Sequence, residues 1–274
     1  MPQETLSADG TKVPFTVYGL SEVKACVIIL PAMGVRASFY KHFGHSLMDF
    51  DVAAYVMEYR GLGDSSLRAG WRTDYGYKQH QEDVAALIVK VKQEYPDRPL
   101  YIAGHSMGGH FAVMTAGLAP TSFDGIIMLA SGTPWYKVYE GNTASKIKML
   151  LRLMPLLLLL GYFPGKKLGF AGREARSLMR DWQKLAQDNH FKVKGVTDTL
   201  EQKIAAYSGK ILCLCFERDD LATPKASTTL LEKVPQAEVT YYMLSDEDIS
   251  GESTHFGWAK TPHRVSQRIS EWVG

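Results

Sequence analysis

The sequence predicts an α/β fold: one mostly parallel sheet with helices on both faces, broken once by a helical insertion. Three observations carry that prediction. Apolar runs at Ala25–Leu30, Val52–Glu58, Leu100–Ala103, Gly125–Leu129 and Ile211–Phe216 are short and nearly unbroken, as suits parallel strands buried on both faces. Helical patterning fills the stretches between them, clearest over Tyr77–Glu94, where Val84, Leu87, Ile88, Val91 and Tyr95 recur at helical spacing. The N-terminus alternates through Thr5–Leu6 and Val13–Tyr18 around the turn dipeptide Asp9-Gly10, which describes a β-hairpin. A hairpin feeding alternating β and α elements argues for a parallel sheet covered on both sides.

Each element has its local reason. Pro96 and Pro99 stop the Tyr77–Glu94 helix before the next strand, because proline neither continues a helix nor lets its predecessor do so. A helix is expected over His110–Gly117 and a further strand over Glu238–Leu244. Between about Trp135 and Val196 the alternation fails, and the chain is helical and unusually apolar, with MLLRLMPLLLLLGYF at its centre. The organisation expected is therefore a core of 1–134 and 197–274 with a helical cap over 135–196. The uncharged stretch runs only from Leu153 to Gly165, between Arg152 and Lys166, and Pro155 and Gly161 interrupt it. A spanning helix needs roughly 20 apolar residues. Two readings of this run stand: a packed cap or lid, or a helix lying in a membrane interface.

A chain of 274 residues buries roughly three quarters of its unfolded surface, enough for a full core without metals or disulfides. Lys plus Arg (31) against Asp plus Glu (29) leaves +2, with no dense basic run. That balance excludes nucleic acid as the expected partner. Cys26, Cys213 and Cys215 all lie in apolar strand-like runs, where a free thiol behaves as a small hydrophobe. Their spacing matches no zinc site, and no metal or cofactor is implied. The opening MPQETLSADG is polar and carries no secretory signal, so a cytoplasmic location is the expectation.

Gly104-His105-Ser106-Met107-Gly108 has the pattern G-x-S-x-G at the end of an expected strand and ahead of an expected helix. A nucleophilic serine needs such a sharp strand-to-helix turn, which lifts its hydroxyl clear of the sheet, and bulky residues two positions either side would collide there. The helix behind it turns its N-terminal N–H groups toward the reacting carbon. Serine also needs a base, and the base an acid that fixes its tautomer. His255, in the loop after the last strand, is the candidate base, and Asp219 and Asp220, after Ile211–Phe216, are candidate acids. The other histidines compete poorly: His42 and His45 in an early helix, His80 on a charged helix, His105 inside the turn, His110 too close behind Ser106, His190 in the cap, His263 at the start of the last helix. For the oxyanion, one donor should be the N–H of Met107, next after Ser106, and the other the N–H of Met33 in the loop Leu30–Gly34.

On these residues the chain resembles the α/β-hydrolase family, in its bacterial branch of small serine hydrolases related to monoacylglycerol lipases and esterases. The matching segments are Pro31-Ala32-Met33-Gly34, Tyr59–Ser66, Gly104–Gly109, Arg218-Asp219-Asp220 and Thr254-His255-Phe256-Gly257. The resemblance implies the α/β-hydrolase fold, no cofactor, and a buttressing role for Arg60–Gly63. It does not extend over Trp135–Val196. Phe216 stands where relatives commonly have Gly, and Thr254 where they often have Gly. In the family the acid is followed two positions later by an apolar residue packed on the core. Asp219 with Leu221 fits that pattern better than Asp220 with Ala222, though Pro224 lies four residues beyond Asp220 as in some relatives.

The leading expectation is hydrolysis of a small-molecule carboxylic ester or thioester with an apolar acyl or aryl group, through an acyl-serine. The alternatives are an amide-cleaving, aminopeptidase-like enzyme gripping an amine with Glu174 and Asp181, a non-catalytic binding protein, and a peripheral membrane protein anchored by Met149–Phe163. Which acyl group is taken, and the oligomeric state, are not legible in the sequence.

Overall fold

A computed structural model describes residues 3–19 and 21–274; Met1, Pro2 and Leu20, inside the expected core segment 1–134, lie outside the described residues. In chain order the elements are β1 (Gln3–Leu6), β2 (Lys12–Tyr18), β3 (Ala25–Leu30), α1 (Lys41–Met48), β4 (Val52–Met57), α2 (Tyr77–Glu94), β5 (Leu100–His105), α3 (Met107–Leu118) and β6 (Gly125–Leu129). There follow α4 (Gly141–Leu157), β7 (Phe163–Pro164), α5 (Gly165–Leu168), β8 (Arg173–Glu174), α6 (Arg176–Asp188) and α7 (Leu200–Ala205). The chain closes with β9 (Lys210–Phe216), α8 (Pro224–Leu231), β10 (Glu238–Leu244), α9 (Asp246–Ile249) and α10 (His263–Val273).

Eight strands form one sheet in the order β1-β2-β4-β3-β5-β6-β9-β10. The β1/β2 and β2/β4 pairs are antiparallel and the other five parallel. The fold is thus the α/β hydrolase fold, a mostly parallel sheet flanked by helices. The unbroken apolar runs are explained by two cores, one on each face. Along β3, Cys26, Ile28 and Leu30 enter the core under α2 and α3, while Ala25, Val27 and Ile29 enter the one under α1 and α10. Strand periodicity is two, so a strand covered on both sides is apolar at every position. Chain order reverses at β3, which lies between β4 and β5. Sites in open α/β sheets form at such a switch point, beyond the carboxyl ends of the strands.

Two local expectations are corrected. The helix expected over His110–Gly117 begins at Met107, because the turn places helix geometry directly behind Ser106. His80 is not on a solvated helix face: it is wholly buried against Tyr59, Tyr75 and Phe111, and burial pushes its imidazole down to about 3. The three thiols are buried and free, and burial pushes Cys26 up to about 12.

Between β6 and β9 the segment contains α4, α5, α6 and the short antiparallel β7/β8 pair. Pro155 lies inside α4, where it has no N–H for the carbonyl of Leu151. Gln183 Nε2 donates to that carbonyl instead, at 3.1 Å, and so ties α4 to α6. One face of α4 is packed through Ala144, Leu151 and Met154; its opposite face is not.

Candidate active site

β5 ends at His105 and α3 starts at Met107, leaving Ser106 alone at the turn with φ 54 and ψ −117. A positive φ costs a non-glycine residue of order 1–3 kcal/mol and persists only where the surroundings impose it. Here packing on both sides imposes it. A Cβ on Gly104 would lie 2.3 Å from Gly109 N, and one on Gly108 would lie 2.0 Å from the carbonyl oxygen of Leu30. Only glycine lets the turn close onto β3. Ser106 N donates to Leu129 O at 3.1 Å, and Ser131 Oγ donates to Ser106 O at 2.7 Å, so the Ser106 backbone is held on both edges while its side chain stays partly exposed.

Leu30 pairs with Gly104 across β3 and β5, which brings the loop Pro31–Gly34 beside the turn. Gly34 has φ +74, and a Cβ there would meet Gly172 N at 2.4 Å; this loop is thus wedged between the serine turn and the segment above the sheet. Among the described residues, neither Met33 N nor Met107 N has a protein hydrogen-bond partner, so both N–H groups are free to serve an incoming oxygen.

His255 and Asp219 meet across the loops after β10 and β9. His255 Nδ1 donates to Asp219 Oδ2 at 2.8 Å, with both side chains buried. Asp219 Oδ1 accepts from Leu221 N at 2.9 Å and Ala222 N at 2.8 Å. That turn overturns the expected packing of Leu221. Oδ1 pulls both N–H groups toward the carboxylate, so Ala222 points inward, 3% exposed, and Leu221 outward, 45% exposed. Asp220 is exposed, while Thr223 caps α8 by accepting from Ala226 N and Pro224 is its first residue. Asp246 ties the two loops together, accepting from Ser253 N and Oγ at 2.7 and 2.6 Å and from Arg218 at 2.7 Å; the Ser253 bonds, then Arg218, hold its carboxyl down at about 2. Phe216, where relatives commonly have Gly, stacks on Trp258 with ring centroids 5.7 Å apart, which braces the acid loop against the base loop.

Ser106 and His255 are neighbours through His105, whose ring centroid is 5.1 Å from that of His255. Among the described residues no hydrogen bond joins Ser106 to His255. Catalytic hydrogen bonds are often long in unliganded enzymes and tighten with substrate.

His105, set aside in the sequence, and Tyr40, not singled out there, connect all three loops. Ala32 N donates to Tyr40 Oη at 2.8 Å, Tyr40 Oη meets His105 Nδ1 at 2.8 Å, and His105 Nε2 meets His255 O at 2.9 Å. A carbonyl can only accept, so Nε2 carries the proton and Nδ1 accepts from Tyr40. Burial, then the neighbouring His255, push His105 well below the ordinary histidine value, which keeps this neutral tautomer. The chain of bonds runs from the loop of Met33 through the serine turn to the loop of His255. The position of His105 inside the turn was the available signal; Tyr40, 65 residues away, had none.

Arg60 is buried in a network with Asp83 (Nε–Oδ2 2.8 Å, Nη2–Oδ1 2.6 Å), Asp9 (2.6 Å) and Ser7 (3.1 Å), which fixes the Tyr59–Ser66 turn to the N-terminal hairpin. The two cap carboxylates are both engaged by backbone: Glu174 accepts from Gly172 N at 2.9 Å and Asp181 from Tyr77 N at 3.1 Å. Burial pushes Glu174 up to about 7 and Asp181 up to about 6. Among the described residues no group of three or more His, Cys, Asp or Glu could hold a metal ion, and no helix is long and apolar enough to cross a membrane.

Comparison with known proteins agrees with this fold. Solved structures of the same fold include a thermostable carboxyl esterase from Bacillus coagulans (TM-score 0.70, 14% identity, 100% of this chain and 97% of that one). Another is DcsB, in complex with a substrate analogue (TM-score 0.68, 13% identity, 100% and 97%). At such identity they show the fold alone. In sequence the chain is similar to the monoglyceride lipases of Mus musculus and Homo sapiens, each 26% identical over 107 residues, 39% of this chain and 35% of theirs. The matched part thus spans about a third of those relatives' length. A family model described as "Serine aminopeptidase, S33" matches residues 21–246. That match takes in β3 through β10 with the serine turn and Asp219, and the chain belongs to this family of α/β hydrolases.

Proposed function

We propose that the protein is a serine hydrolase that cleaves a carboxylic ester or thioester through an acyl-serine intermediate. The observation that carries this reading is the buried 2.8 Å Asp219–His255 pair beside a serine at φ 54. With its Nδ1 proton committed to Asp219, His255 presents the Nε2 lone pair and takes the proton of Ser106 as the hydroxyl attacks the acyl carbon. The N–H groups of Met33 and Met107 receive the oxyanion; one such donor is worth about 3–4 kcal/mol of barrier. His255 then protonates the leaving alcohol or thiol, and water, activated by the same imidazole, releases the acid.

The segment 135–196 acts in this proposal as the cap that selects substrate. Its buried apolar residues, among them Leu151, Met154 and Phe163, support an apolar acyl or aryl group. The family description favours an amide substrate as a second reading. Against it, Glu174 and Asp181 already serve backbone donors, and a raised carboxyl is a weak grip for an amine. The test is labelling by a fluorophosphonate together with turnover of p-nitrophenyl esters of graded chain length. Ser106→Ala should lose labelling, and turnover should drop on the order of a millionfold, with the fold intact. Equal labelling of the two proteins would remove Ser106 from the mechanism, and faster cleavage of aminoacyl p-nitroanilides than of any ester would favour the amide reading.

A further inference from the structure

The outward face of the segment between β6 and β9 is apolar where a soluble surface is ordinarily mixed. Met149, Leu153, Leu156 and Leu160 follow one another at steps of four, three and four residues, which places them on one side of α4 and its continuation. With Leu159 they are between 44% and 64% exposed. The patch continues onto Trp71, 65% exposed, whose ring lies against Gly161: a Cβ there would be 2.8 Å from the indole. This face is not a frayed end, since the Gln183 bond to Leu151 O anchors α4 behind it at 3.1 Å.

Along the segment that carries the leucine row the charge has one sign. From Gly141 to Arg173 the sequence holds Lys146, Lys148, Arg152, Lys166, Lys167 and Arg173 and not one Asp or Glu. The whole chain carries only +2, so the remainder is net negative and the positive charge is concentrated here. Lys146 and Arg152 lie within a turn of the apolar row, from which long side chains reach outward while their stems cover apolar surface. Arg176 sits over the Trp71 ring at 5.3 Å.

We propose that this face docks on an anionic lipid bilayer, with α4 lying in the plane of the interface and the cations on headgroup phosphates. An apolar row flanked by Lys and Arg is the pattern of an in-plane helix. Each Lys or Arg near an anionic surface adds roughly a factor of five to binding. A second copy of this chain fits the face poorly, because it would set six cations against six. Crossing the bilayer is not involved, for Pro155 and Gly161 break the run and no described helix is long and apolar enough to span. The proposal goes beyond the ester-hydrolase reading and does not depend on it, since binding is measured without turnover.

The experiment is flotation of the full chain with phosphatidylcholine vesicles, with and without phosphatidylglycerol, at low and high salt. The expected result is binding to the phosphatidylglycerol vesicles that is at least about tenfold weaker on phosphatidylcholine alone and weakened by salt. Leu156→Glu with Leu159→Glu, both exposed positions, should lower binding by about tenfold or more while circular dichroism is unchanged. Lys166→Gln with Lys167→Gln tests the charge separately and should lower binding to the anionic vesicles only. Hydrolysis of a water-soluble short ester serves as a separate readout: its absence in the wild type overturns the proposed function and leaves the vesicle result standing. Lack of binding to either vesicle overturns the docking surface, as does binding untouched by the leucine pair. Concentration-dependent dimerisation that the leucine pair abolishes, without vesicle binding, assigns the face to a second copy and equally overturns it.

Discussion

Replacing Asp219 by Asn removes a charge from the acid position and keeps its shape. Of the three hydrogen bonds that the carboxylate accepts, those from Leu221 N and Ala222 N go to Oδ1, and an amide oxygen placed there retains both. The amide NH2 then faces His255 Nδ1 across 2.8 Å and can only donate. His255 must answer with an Nδ1 lone pair, which puts the proton on Nε2, where it blocks acceptance of the serine proton. In another serine hydrolase that wrong tautomer cost roughly four powers of ten in rate, about 5.5 kcal/mol of barrier. Stability should suffer far less: one charge-assisted bond is lost, worth about 1.5–3 kcal/mol at most. Asp220 is exposed, and its change to Asn should alter rate by no more than about twofold. The assay is kcat/KM for a p-nitrophenyl ester at neutral pH, with thermal melting alongside. Asp219→Asn retaining more than about a tenth of wild-type activity, or Asp220→Asn proving the inactive variant, would refute the reasoning.

Three further outcomes are expected. Tyr40→Phe leaves Ala32 N–H and His105 Nδ1 without their shared partner, so kcat should fall several-fold with KM little changed, and the fold should weaken by about 1–3 kcal/mol; unchanged kcat would show that the bonded chain does not tension the site. Arg60→Ala strands Asp83, whose carboxyl burial already pushes up, and should cost about 3–5 kcal/mol in denaturant titration, most of it regained in the double variant Arg60→Met with Asp83→Leu. Glu174 has a folded value of about 7 against an ordinary 4.5. Its stability contribution is therefore full below the ordinary value and is lost as pH rises through about 7. Glu174→Gln keeps the bond from Gly172 N, and should raise stability near pH 8 by up to about 3 kcal/mol and change little near pH 4; a gain at the acidic end instead would reverse the assigned sign.

Much of this protein was legible from local pattern. β3, β6 and β10 begin and end at the residues expected, as does α2, because unbroken apolar runs and a proline-terminated helical stripe are set by neighbours in sequence. The serine turn was legible for a similar reason, since the steric demand falls on Gly104 and Gly108 within two residues of Ser106. Asp219, His255 and Met33 were legible as loop positions after strands, an ordering that chain topology imposes, and Met107 as the residue directly behind the serine turn.

What required the tertiary structure was every decision made between distant segments. The sequence could weigh Asp219 against Asp220 but expected Leu221 to pack; an Asx turn turned Ala222 inward instead, and only the meeting of two loops brings Asp219 to Nδ1 of His255. Tyr40 and His105 looked unremarkable because a hydrogen bond across 65 positions leaves no periodicity to detect. His80 appeared solvated because its helix is rich in charge, yet Tyr59 and Tyr75 from outside that helix enclose it. The leucine run is the sharpest case. Its composition left both a packed cap and an interfacial helix open, since hydrophobicity states that a side chain avoids water and not which neighbour removes it. Ala144, Leu151 and Met154 found the protein, while Met149, Leu156 and Leu159 face outward, and that division is set by how α4 is anchored to α6, which no stretch of sequence contains.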